Sequence, residues 1–143
     1  MDYDRIEIDF IKRTLMLVKE YNGQYDATFL INCCLGLLVF PKEKHFKSIP
    51  DVEIPAEGAF WGLSRNNITV FCSGCGYKVS EVVRRLRNGV CHFNVRSLPD
   101  DSGNISTLEI KDRGGFKAVL KLLDLKRFVI EFANHVIKVK LPS

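Results

Sequence analysis

No stretch of this chain is long and apolar enough to cross a bilayer. The longest apolar run, residues 29–40, is broken by Asn32 and reads as a buried helix. The opening MDYDRIEIDF is acidic and lacks the basic-then-apolar order of an export signal, so a cytoplasmic protein with no membrane association is expected. There are only five cysteines, an odd number, which argues against a disulfide framework and for free thiols in a reducing compartment. Internal repeats and low-complexity stretches are absent. Charge of one sign is not in large excess: the net charge of +4 permits nucleic-acid binding without demanding it.

What is present is ordinary globular composition, 46% hydrophobic and 27% charged, which excludes a disordered tail, a collagen-like chain or a mucin-like stalk. At 143 residues, one domain covering residues 1–143 is expected. A chain of this size buries roughly two-thirds of its unfolded surface and needs no metal or disulfide staple.

Apolar spacing sets out the helices. Ile8, Ile11, Leu15 and Val18 recur at intervals of three and four, giving an amphipathic helix over residues 3–21 that stops at Asn22-Gly23. A second helix, capped by Asp26 or Thr28, runs through residues 29–40. It is apolar nearly all round, as a central helix is, and ends at Pro41. Residues 41–77 hold three prolines, several glycines and the basic run 42–47 with His45. They read as a long connection, anchored by Phe60 and Trp61, that is either functional or contains a short unrecognised element. Ser80 is expected to cap a third helix reaching about His92. A β-hairpin follows, with strands near 93–97 and 105–112. Residues 116–122 fit either a third strand or the lead-in to the last helix. That helix opens at Asp124 and carries the stripe Leu125, Phe128, Val129, Phe132 and Val136. The expected fold class is mainly α, a helical bundle with a small β-hairpin inserted before the last helix.

The third helix carries the chemistry. Val79, Val82, Val83, Leu86 and Val90 form one face; Glu81, Arg84, Arg85, Asn88 and His92 form the other. Asn88 and His92 are neighbours at a spacing of four, and Arg87 lies on the flank, its long side chain within reach of the same patch. Arginines beside an imidazole and an amide suit phosphate binding together with general acid–base chemistry.

The segment Arg87-Asn88-Gly-Val-Cys-His92 resembles the R-N-x3-H form of the R-x4-6-H motif of the HEPN superfamily. The apolar FLINCCLGLLVFPKE before it and the closing DLKRFVIEFANHVI resemble the second and last helices of a compact plasmid- and prophage-type subfamily. The resemblance implies a HEPN-like bundle and a metal-independent endoribonuclease with no cofactor, acting as a homodimer on RNA. In it His92 is the general acid or base, Arg87 binds the scissile phosphate, and Asn88 orients the imidazole or the phosphate. Arg84 and Arg85 attract the RNA backbone. It further implies a toxin–antitoxin or phage- and plasmid-defence role, with a cognate antitoxin as partner. The sequence departs from the family at Gly89, where alanine or another helix former is commoner. Gly89 either loosens the turn carrying His92 or admits a partner helix.

Other readings stand beside this one. Some HEPN domains only dimerise and bind a nucleotide or a protein. Arg84 and Arg85 also fit simple ion pairing with Glu81. Cys72-Ser-Gly-Cys75-Gly resembles one knuckle of a zinc ribbon, but the only downstream candidates are Cys91 and His92, side by side rather than as a second knuckle.

Overall fold

The computed structural model describes residues 6–20, 26–39, 47–69, 76–103 and 105–139. Its helices are α1 (Ile6–Glu20), α2 (Asp26–Val39), α3 (Val79–Cys91) and α4 (Leu122–Val139). Its strands are β1 (Ile68–Thr69), β2 (Val95–Pro99), β3 (Ile105–Lys111) and β4 (Lys117–Lys121). They form one antiparallel sheet in the order β1-β4-β3-β2.

The expected mainly α bundle is corrected by this sheet to an arrangement of both α and β structure. The difference arises at two places. Residues 116–121 alternate, burying Phe116, Ala118 and Leu120, and the period of two makes them a strand rather than the start of α4. The 41–77 connection supplies β1, whose Ile68 pairs with Ala118. Two residues are too few to show a period, so β1 leaves no trace in the sequence. The hairpin is therefore the far half of a four-stranded sheet.

Helix α2 packs against α1, α3, α4 and β3, which explains why it is apolar nearly all round. Ile11, Leu15 and Val18 bury one face of α1, and the whole expected stripe of α4 is buried. On the sheet, Leu108 pairs with Leu120 and Ile110 with Ala118, so these four side chains share the inner face. Among the described residues, no helix is long and apolar enough to cross a membrane.

Helix α3 starts one residue before the expected cap. Lys78 is the N-cap and makes no side-chain capping bond. The Val79 N–H, the first of the helix's free donors, is satisfied by a tertiary contact to the Val52 carbonyl (2.8 Å).

Part of the long connection is held on α4. Phe60 and Leu63 exchange backbone hydrogen bonds of 2.9 and 2.8 Å around Trp61 and Gly62, both at positive φ (53° and 80°). This is the geometry of a tight two-residue hairpin turn. The Trp61 ring lies 6.2 Å from Phe132 and 5.3 Å from His135, centroid to centroid, confirming it as an anchor. His135 Nε2–H donates to the Ser48 carbonyl (3.1 Å), with Ser48 Oγ at 3.2 Å. Burial holds the His135 imidazole below its usual range; Lys138 adds to this, and the bond to Ser48 opposes it. His45, Cys72 and Cys75 lie outside the described residues.

The His135 staple makes folding pH-dependent. With its pKa lowered in the folded state, the unfolded chain binds more protons, so stability rises with pH. The contribution is full above about pH 6.5, the unfolded histidine value, and is lost as pH falls through the lower folded value. Urea unfolding at neutral and mildly acidic pH is expected to show this loss. His135→Gln should show a smaller one; an equal loss in the variant would remove His135 as its source.

Candidate functional site

Helix α3 buries Val79, Val82, Val83, Leu86, Gly89 and Val90. Its polar face is organised largely by pairing. Arg84 donates through Nη2 to both Glu81 carboxylate oxygens, at 2.7 and 2.9 Å. Arg85 places Nε 3.4 Å from Glu81 and donates through Nη1 to the Arg113 carbonyl at 2.7 Å. The same Nη1 lies 3.6 Å from Asp112. The Asn88 amide donates to Asp112 Oδ2 at 3.4 Å. The polar face of α3 is thus latched to the turn between β3 and β4. Asp112 also closes that turn, its N–H donating to the Phe116 carbonyl at 3.1 Å. The sequence shows Asp112 only as a turn residue. Its partners lie 24 and 27 positions away, and nothing local marks the pairing.

The C-terminus of α3 ends in a Schellman motif. The Phe93 N–H donates to Val90 (3.1 Å) and the Asn94 N–H to Gly89 (2.8 Å), while Phe93 takes φ 55°. Glycine is the usual residue there; a side chain with a Cβ costs roughly 1–2 kcal/mol. The Asn94 carbonyl then accepts from the Lys111 N–H (3.0 Å), joining the helix end to β3. His92, the last residue before this reversal, is exposed.

Gly89 makes the junction possible. A Cβ at this position would lie 2.6 Å from Ile110 Cγ2 and 2.6 Å from the Lys111 carbonyl oxygen. The close approach allowed by Gly89 is therefore to strand β3 of the same chain. This answers the expectation of a loosened turn or a partner helix: the turn carrying His92 is tied to the sheet.

Of the sequence-derived site residues, Asn88 and His92 fall on neighbouring turns of one side, as their spacing requires. Arg87 is half-buried. At 100° per residue its Cα direction differs from that of His92 by about 140°. Arg84 and Arg85 lie further back along α3, both against Glu81.

Beyond the helix end, an open cleft is lined by Phe93, Asn94, Val95, Arg96, Glu109 and Lys111. Glu109 stands opposite Arg96 in the strand register, and its carboxylate lies 3.3 Å from both Arg96 and Lys111. Its side chain is covered by these long neighbours. Desolvation pushes its carboxyl upward, but the Lys111 hydrogen bond and the charges of Arg96, Lys111 and Lys117 outweigh this and hold it below the usual range.

A helix ending in R-N-x3-H, with the histidine exposed at its C-terminal cap, carries the motif of HEPN domains. The family model HEPN pEK499 p136 matches residues 1–142, and the chain belongs to this plasmid-type HEPN family. HEPN membership brings with it ribonuclease or nucleotide-binding function in general, and HEPN domains commonly dimerise. No curated protein and no solved structure matches the chain.

The tight helix–strand contact has a testable consequence. In an open helix Gly89→Ala would stabilise by up to about 1 kcal/mol. Here the new methyl meets a backbone oxygen and a buried isoleucine, so a net loss of about 1–3 kcal/mol is expected. Denaturant unfolding reads the sign directly, and a more stable variant would mean that α3 and β3 are not in such close contact.

Proposed function

We propose that the protein is a metal-independent endoribonuclease whose active site is shared between two copies of the chain. The observation that carries this reading is the placement of the motif. His92 is exposed at the end of a helix fixed to the sheet, and Arg87 projects from a different side of the same helix. An exposed imidazole on a rigid mount suits proton transfer. An arginine whose Cα direction lies about 140° away around the axis suits a phosphate shared with a second protomer better than one held by a single helix.

The chemistry is transesterification. One imidazole takes the proton of a ribose 2′-OH, and the 2′-oxygen attacks the adjacent phosphorus. The bond from phosphorus to the 5′-oxygen breaks, and the leaving oxygen receives a proton from the imidazolium so formed or from water. The products are a 2′,3′-cyclic phosphate, or its hydrolysed form, and a 5′-hydroxyl. Arg87 binds the scissile phosphate and offsets the charge that builds on its oxygens. Asn88, held by Asp112, orients the phosphate or the imidazole. Arg84 contributes to the field that attracts the backbone, and Arg85 adds charge while remaining latched to the β3–β4 turn. The plasmid-type family supports a toxin–antitoxin or phage- and plasmid-defence role, with an antitoxin as partner.

The test is cleavage of a mixed RNA in EDTA, with the product ends identified. His92→Ala should lower the rate by about 10²- to 10⁴-fold. Arg87→Ala should lower it by about 10²- to 10³-fold. Mixing the two inactive variants should restore part of the activity, because a mixed dimer contains one intact Arg–His pairing. Absence of cutting by the wild-type protein would replace this reading with a nucleotide- or partner-binding HEPN domain.

A further inference from the structure

The helix reversal sets a positive φ at position 93, but folding alone does not explain why an exposed phenylalanine occupies it. Phe93 holds a positive φ where glycine is easiest, and its side chain is 71% exposed, so little burial offsets the strain. It follows His92 directly and forms one wall of the cleft bordered by Arg96 and Lys111.

The outer face of the sheet continues from this cleft. Residues 107, 109 and 111 of β3 point away from the core, opposite 121, 119 and 117 of β4, and Arg96 lies opposite Glu109. That face therefore displays Arg96, Lys111, Lys117 and Lys121 against one carboxylate, Glu109, among the described residues. Lys111 and Lys117 are direct cross-strand partners, and the single Glu109 carboxylate, 3.3 Å from Lys111, offsets only part of the positive charge that this pair shares with Arg96 and Lys121. An exposed aromatic ring followed by a band of cations matches single-stranded nucleic acid, which offers base faces to stack and phosphates to neutralise.

We infer that Phe93 stacks a nucleobase of single-stranded RNA, and that the strand leaves His92 across the outer sheet face over Arg96, Lys111 and Lys117. The inference rests on the ribonuclease reading and adds to it the part of the protein that holds the substrate beside the cut.

The experiment measures binding separately from cutting. A fluorescently labelled, 2′-O-methyl single-stranded RNA cannot undergo 2′-OH attack, and its anisotropy reports affinity. Phe93→Ala should weaken binding by about ten- to a hundredfold, while Phe93→Trp keeps it. Phe93→Gly should weaken it as much while raising the melting temperature, because glycine relieves the backbone strain. That opposite movement separates a stacking role from a structural one. Lys111→Ala and Lys117→Ala should each flatten the salt dependence of log Kd by about 0.7 of a slope unit. Binding by Phe93→Ala equal to wild type would overturn the stacking role, even where His92→Ala still abolishes cutting. A shift of Phe93→Ala from dimer to monomer in sedimentation would overturn it too, by making Phe93 a contact between copies. Failure of the wild-type protein both to bind and to cut would instead remove the ribonuclease reading beneath it.

Discussion

The contact between α3 and β3 at Gly89 is the constraint on which the rest of the site depends. At 2.6 Å from where a Cβ would sit, the Ile110 side chain and the Lys111 carbonyl leave space only for a hydrogen. That approach brings the helix end onto the strand, so Asn94 can accept from Lys111. It also brings the polar face of α3 within reach of the β3–β4 turn, where Asp112 meets Arg85 and Asn88. His92 and Phe93 inherit their positions from these contacts. A glycine costs helix stability in isolation. Here the cost is offset by burial of Val90 and Ile110 and by a backbone tie that an alanine would push apart.

Once α3 is fixed in this way, its arginines divide between two kinds of work. Arg85 is 20% exposed and spends its guanidinium on Glu81, Asp112 and the Arg113 carbonyl, so it belongs to the frame as well as to the field around the site. Arg84 is more exposed and pairs with Glu81 at the surface, where such pairs are weak. Asn88 holds the middle ground, with one long hydrogen bond to a carboxylate that is itself tied to the turn. The motif is thus an extension of the fold, with the sheet setting the direction of its polar side chains.

The helical parts of this arrangement were legible because long apolar patterns have a period. The stripe from Leu125 to Val136, the buried face of α3 and the all-round apolarity of α2 each correspond to an observed contact. The sheet was only half legible. β2 and β3 show alternation, but β1 is two residues long, and the alternation of β4 runs straight into the apolar start of α4. The site followed the same division. Arg87, Asn88 and His92 are marked by a local motif, which a sequence displays. Asp112 and Phe93 are distinguished by a long-range hydrogen bond and a positive φ, neither of which leaves a local signature. Gly89 was visible as an exception to helix propensity, but the identity of what it approaches required the strand register.

The presence of a sheet rather than a bundle changes what the end of α3 can do. The last turn of a helix frays when only its own hydrogen bonds hold it, because its final carbonyls lack partners. In α3 the Gly89 and Val90 carbonyls are satisfied by Asn94 and Phe93, and the reversal is fastened to β3 through Lys111. Exposed residues on a fastened reversal can be strained, since neighbouring bonds over-determine the backbone. This is how an aromatic residue persists at φ 55° beside an exposed histidine. The sheet therefore serves two ends at once: its inner face closes the core over α3 and α4, and the end of its interior strand β3 holds the helix terminus in place while leaving His92 and Phe93 exposed.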